Sequence, residues 1–257
     1  MFHGIGDVFP GPVERELAAG GRRVVLAALD MGAGPGSRFT TWPSHQHDAW
    51  LAQLASAAKA FPYQLNLRPW PEMNADWASF QPTADGARPA GGTPAQFVAA
   101  WRYVVTYLRS NGATNVRWVF NPTADTYAQT TDVRSIWPGA AYVDVLGLDG
   151  YNWGSGASWA KWQSFDDIFR EQCGRLTSLD AHKPVWVCEF GSKEPTTSDG
   201  APVDVSKDKG DWYRAAFAST AFPRMTALVA FSTLKERDWR LDSSPSARFA
   251  VAMHLQG

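Results

Sequence analysis

Two glutamates lie in aromatic, strand-like surroundings where a carboxyl group can do acid–base chemistry. The first is Glu72, within NLRPWPEMNADW at residues 66–77. If Tyr63 to Arg68 runs extended, Tyr63, Leu65 and Leu67 face one way, and Gln64, Asn66 and Arg68 the other. Glu72 then follows the strand end beside Trp70, Asn74 and Trp77. Indoles and prolines partly desolvate a carboxyl group, which raises its pKa and suits a general acid. A solvated loop glutamate is the alternative. The second is Glu189, within KPVWVCEFGS at residues 183–192. Strict alternation puts Val185, Val187 and Glu189 on one face, with Trp186 and Cys188 on the other. A glutamate ending an apolar run needs a partner, because an unpaired buried carboxylate is costly. A structural ion pair to Arg68 is the alternative to catalysis. Two carboxyls on different strand ends are the minimum set for glycoside hydrolysis.

The elements that would position them alternate along the chain. Strand-like runs are Arg23–Leu29, Tyr63–Leu67, Val116–Phe120, Tyr142–Leu148, Pro184–Phe190 and Ala227–Phe231, with a short one at Phe2–Ile5. Helical patterns are expected over Asp48–Ala60 with Asp48 as N-cap, Thr93–Ser110 with Pro at the first helical position, Ser164–Leu179 and Asp211–Ala221. This βαβα rhythm signals a parallel sheet wrapped by helices. Gly- and Pro-bearing loops follow the strands: MGAGPG after Asp30, NPTAD after Phe120, DGYNWGSG after Leu148 and GSKEPTTSDG after Phe190. In a parallel barrel these strand ends carry the chemistry.

The 257 residues fit a single (β/α)8 TIM barrel domain over 1–257, since such barrels run to about 250 residues. Seven strands rather than eight are legible, so the barrel is expected to be irregular or shortened at its N-terminal strands. With 24 basic and 25 acidic residues and no basic run, nucleic acid is not an expected partner. No apolar stretch is long enough to span a membrane. The first residues, MFHGIGDVFPGPVERELAAG, lack the basic head and apolar run of a signal peptide. Trp occurs 13 times, which suggests stacking platforms although most indoles are expected to pack in core or rim. No exposed apolar stripe is evident, so a monomer is expected.

Five segments together resemble glycoside hydrolase family 26, from about Arg23 to Ala252: LRPWPEMNADW, WVFNP at 118–122, DVLGLDGYNWG at 144–154, KPVWVCEFGS, and KERDWRLDSSP at 235–245. The family comprises retaining (β/α)8-barrel enzymes that mostly cleave β-mannan, with some acting on mixed-linkage β-glucan or β-1,3-xylan. The resemblance implies Glu72 as acid/base after the fourth strand and Glu189 as nucleophile on the seventh. It implies that Tyr151 hydrogen-bonds the nucleophile, that Arg68 holds it ionised, and that Trp77 stacks on the leaving-group side. Trp239 and Lys235 would help form the glycone side. Neither metal nor organic cofactor is implied; a polysaccharide or oligosaccharide is the partner, and an extracellular location is expected. Retention would need carboxyl groups roughly 5–5.5 Å apart. Two departures fall near the −1 sugar. Pro71 stands where the family usually has His, and Ala230 or Phe231 where it often has Trp.

Asn121 and Asn152 are candidates for sugar hydroxyls or for turn formation. Trp153 could stack on a sugar or cover the barrel top. Asp149 reads as a structural turn residue. His3, His45 and His47 do not have metal-pair spacing. Cys188 is expected to point outward toward the helix of Cys173, where a disulfide or two thiols are equally compatible. An endo-acting β-glycanase is the leading reading. Hydrolysis of an unusual microbial glycan and a non-catalytic carbohydrate-binding barrel are the alternatives.

Overall fold

The computed structural model describes residues 2–20, 24–32, 37–155, 158–196 and 200–256. The predicted start of a strand at Arg23, most of the MGAGPG loop and parts of the loops after Leu148 and Phe190 lie outside them. Seven strands form one sheet: β1 Phe2–Gly4, β2 Val24–Asp30, β3 Gln64–Pro69, β4 Val116–Phe120, β5 Val145–Asn152, β6 Val185–Ser192 and β7 Met225–Ala230. Their spatial order is the order of the chain, and every neighbouring pair is parallel. The helices are α1 Pro12–Ala19, α2 Asp48–Ala60, α3 Pro94–Ser110, α4 Phe165–Leu179, α5 Lys209–Phe217 and α6 Pro245–Gln256.

The seven strands legible in the sequence thus form one curled parallel sheet with helices. Among the described residues, β1 and β7 each pair with a single neighbour. Among the described residues, no strand pairing joins β1 to β7.

Local chemistry explains most of the boundaries. Thr93 caps α3 by accepting from the Gln96 amide, Gln96 reaches back to Thr93, and Pro94 opens the helix. Ser164 caps α4 through the Asp167 amide. The expectation for α2 is corrected. Its N-cap is His47, without a side-chain cap bond, and Asp48 instead accepts from the Tyr103 hydroxyl. The last predicted helix begins two residues early, because Asp208 rather than a later residue caps it through the Asp211 amide. The strand expected at Tyr142–Leu148 starts three residues later, at Val145, since Ala140–Tyr142 forms a 3-10 turn.

Leu65, Leu67, Trp118, Phe120, Leu146, Leu148, Val187 and Phe190 pack with Phe97, Trp101 and Phe169 of the helices in one core. The other sheet face carries a small cluster of Val119, Val145 and Cys188, against Leu26 and Trp186. Most of the Trp excess is structural: Trp42, Trp70, Trp101, Trp118 and Trp239 are fully buried, and only Trp77 and Trp159 are exposed. No described helix is long and apolar enough to cross a membrane.

Candidate active site

Alternation along β3 sends Leu65 and Leu67 to the helices and Arg68 to the opposite, concave face, as the sequence predicts. The Arg68 guanidinium joins four strand ends. Its Nη1 donates to Asn121 Oδ1 (3.0 Å) from the end of β4 and to both Asp149 oxygens (3.2 and 2.9 Å) from β5. Nη2 donates to Glu189 Oε1 of β6 at 2.5 Å. The β1 residue Phe2 places its ring 5.3 Å from the guanidinium carbon. Burial opposes the Arg68 charge, but the attraction of Asp149 and Glu189 outweighs it and the pKa rises.

Glu189 reaches this face through a β-bulge. Leu148 pairs with Val187 but Asp149 pairs with Glu189, leaving Cys188 as the extra residue. Val187 and Phe190 therefore pack on the helices, while Cys188 and Glu189 both turn to the concave side. This corrects two expectations. Glu189 does not share a face with Val185 and Val187. Cys188 points into the small inner cluster rather than outward to Cys173, and both cysteines are free. Burial raises both thiols' pKa, so neither is a thiolate nucleophile.

Tyr151, two residues beyond Asp149 on β5, donates its hydroxyl to Glu189 Oε2 at 2.5 Å. Both Glu189 oxygens thus accept from fixed donors. Burial, then the Glu189 charge, keeps the tyrosine protonated. The Tyr151 ring meets Phe231 edge-on (5.7 Å) and packs on Trp239 (4.9 Å). Phe231 thus supplies an aromatic ring at the end of β7.

Glu72 stands on a strained turn. Trp70 (φ 47°) and Glu72 (φ 55°) both adopt the left-handed conformation that L-residues avoid at about 1–2 kcal/mol each. Hydrogen bonds hold the strain: the Trp70 amide donates to the Leu29 carbonyl (3.0 Å) and the Glu72 amide to that of Asn121 (2.8 Å). Asn74 locks the same turn to the next loop by accepting from the Thr123 amide at 2.8 Å. The Glu72 side chain is half-buried, and Trp77 Nε1 donates to its Oε2 at 3.0 Å. Burial first, and then the Glu189 charge, pushes its pKa up to about 7. Trp70 does not flank it as expected: its fully buried ring packs among Phe39, Trp42 and Phe97.

Other site expectations divide. Asn121 has no exposed surface and its carboxamide is engaged by Arg68, so it supports the guanidinium rather than meeting sugar hydroxyls. Asn152 is likewise buried, where its side chain anchors the following loop. Trp239 is 1% exposed and braces Tyr151 and Trp153 instead of offering a free face. Trp153 is half-buried, with the Arg237 guanidinium carbon 5.9 Å from its ring centroid. Lys235 is exposed and paired with Glu236 Oε1 at 2.9 Å. His45 bonds Asp48 and His47 stacks on Trp42, away from the glutamates.

Asp149 is the residue that sequence reasoning missed. It lies within β5, fully buried, and is not a turn residue. Burial, followed by the Glu189 charge, raises its pKa well above the ordinary value against the opposing attraction of Arg68. The signal was present: an acid inside VLGLDGYN is as anomalous as Glu189 inside VWVCEFGS.

A parallel sheet backed by helices, with carboxyls and indoles gathered on its strands, defines an α/β protein. Residues 47–181 match the sequence profile of glycosyl hydrolase family 26, and the chain belongs to that family. Endoglucanase H of Acetivibrio thermocellus is 38% identical over 203 residues, covering 78% of this chain and 21% of the relative. Mannan endo-1,4-β-mannosidase A and B of Caldalkalibacillus mannanilyticus is 37% identical over 129 residues, covering 49% of this chain and 21% of the relative. The chain thus spans about a fifth of the length of these curated relatives. A Cellulomonas fimi endo-β-1,4-mannanase double mutant shares the fold, with TM-score 0.64 at 19% identity over 99% of this chain and 62% of that one. The catalytic domain of a Bacillus sp. JAMB-750 endo-β-1,4-mannanase does so with TM-score 0.60 at 19% identity, over 88% and 61%.

Proposed function

We propose that this chain forms one catalytic domain of an endo-acting, retaining β-glycanase, with β-mannan as first-choice substrate. Glu189 attacks the anomeric carbon while protonated Glu72 gives its proton to the departing glycosidic oxygen. A covalent glycosyl ester on Glu189 results, and the aglycone leaves. Glu72, now ionised, then takes a proton from water, whose oxygen attacks the same carbon. The ester bond breaks, the configuration is retained, and both carboxyls return to their starting states.

The observation that carries this reading is the contrast between the two glutamates. Glu72 holds a proton up to about pH 7, whereas both Glu189 oxygens accept from Arg68 and Tyr151. Loss of the Glu72 proton would end acid catalysis, so activity should fall as pH rises through about 7. Trp77, exposed and bonded to Glu72, would stack on the leaving-group sugar in this reading. The enzyme would act outside the cell, as a monomer.

Mixed-linkage β-glucan is the second reading, favoured by the likeness to Endoglucanase H and by Pro71 and Phe231 at the departures from the usual pattern. Release of reducing ends from β-mannan, lichenan, laminarin and β-1,3-xylan, with the first anomer followed by NMR, tests both. Retained configuration and loss of at least a thousandfold in Glu72→Ala and Glu189→Ala are expected. Activity surviving in Glu189→Ala, or an inverted product, would overturn the mechanism. Binding without hydrolysis would leave a carbohydrate-binding barrel.

A further inference from the structure

We propose that Trp159 is a distal sugar-stacking platform on the Glu189 side of the cleft, making the enzyme prefer long chains; this rests on the glycanase reading above. Surface tryptophans standing alone need no explanation, but Trp159 does not stand alone. Its ring meets that of Trp153 edge-on at 5.3 Å, Trp153 lies 6.3 Å from Tyr151, and Tyr151 bonds Glu189. A line of aromatic rings therefore links Trp159 through Trp153 and Tyr151 to Glu189.

The members of that line are not equivalent. Tyr151 is occupied by Glu189 and Trp239, while Trp153 is hemmed by Trp239 and Arg237. Trp159, 69% exposed, presents the open indole. An indole face matches the apolar C–H face of a β-linked pyranose, while the sugar's hydroxyl rim stays in water.

The segment that carries Trp159 is anchored at both ends. The amides of Gly154 (3.2 Å) and Gln163 (3.0 Å) donate to the single oxygen Asn152 Oδ1. The Ser155 amide donates to both Asp204 oxygens at 3.0 Å, and Trp212 Nε1 to the Gln163 carbonyl at 2.8 Å. Binding energy collected there, remote from the scissile bond, can be used at the reacting centre, so truncated substrates lose rate.

The test compares wild type, Trp159→Ala and Trp159→Tyr on mannan and mixed-linkage glucan oligosaccharides from trisaccharide to hexasaccharide. A second arm measures retardation in native gels containing β-mannan or lichenan, with and without Glu189→Ala. Trp159→Ala should lower kcat/KM on the longest substrate about tenfold and on the shortest cleaved one less than twofold. Trp159→Tyr should recover most of the loss, and retardation should weaken in both backgrounds. Equal loss at every length, or none at any length, overturns the platform. Retardation that depends on Trp159 in a protein without hydrolysis would sink the catalytic reading and leave the platform standing. Absence of both hydrolysis and retardation would overturn both.

Discussion

At the scale of single residues, the site is a problem of sharing charge. Arg68 faces two carboxyls, and the more deeply buried one, Asp149, is pushed toward its neutral form. Glu72 receives no direct guanidinium contact and is pushed to about 7 by burial and by Glu189. Its folded pKa lies above the ordinary 4.5, so the native state binds more protons than the unfolded chain between those values. The associated stability is fully present below pH 4.5 and is lost as pH rises through about 7. Glu72→Gln removes that loss. Its melting temperature relative to wild type should therefore rise between pH 4 and pH 8, by the equivalent of about 2 kcal/mol after discounting for solvent screening. Thermal unfolding at the two pH values checks this, and an unchanged difference would mean Glu72 is an ordinary solvated acid. The context of Glu72 was readable only in part: Trp77, five residues on, does bond it, whereas Trp70 packs in the core. Asp149 was not, because only folding sets it across from Glu189.

At the scale of elements, the bulge in β6 matters most. Against β5, Cys188 is the extra residue between Val187 and Glu189; against β7, the register shifts between Val187 and Phe190. Deleting Cys188 would restore strict alternation, with Val187 and Phe190 still on the helices and Glu189 still opposite Asp149. Such a deletion should keep activity within about tenfold while costing about 1–2 kcal/mol for the lost contacts with Val119 and Val145. A folded but inactive deletion variant would show that the bulge itself aims the carboxylate. The stretch after β6 also sends two buried lysines to neighbouring loops. Lys193 Nζ pairs with Asp204 (2.9 Å) and donates to the Glu194 (2.9 Å) and Thr196 (2.8 Å) carbonyls. Lys209 Nζ donates to the Asp238 and Arg240 carbonyls and to Ser243, at 2.8–2.9 Å. Burial pushes Lys209 down to about 8. The first lysine thus fixes Asp204, which accepts from the Ser155 amide in the loop of Trp153, and the second fixes the loop of Trp239. In the sequence, each looks like a solvated surface charge.

At the scale of the whole molecule, seven parallel strands curl into one sheet, and α5 packs closely on α6. Gly210 permits that approach, because a side chain there would collide with the Ser246 backbone carbonyl. Gly210→Ala should cost about 2 kcal/mol by overpacking, lowering the melting temperature by about 5 °C. Calorimetry checks this. No change in melting temperature would mean that the two helices slide apart freely.

The chain's own chemistry determined the parallel α/β rhythm, the capped starts of α3 and α4, the face of Arg68 and the two candidate glutamates. Each of these depends on residues a few positions apart, through alternation, capping or local crowding. Tertiary structure alone decided the curl of the sheet, the bulge that turns Glu189, the sharing of Arg68 with Asp149, and which indoles stay exposed. Those outcomes depend on register between strands and on packing between loops, where the partners of a side chain lie tens of residues away.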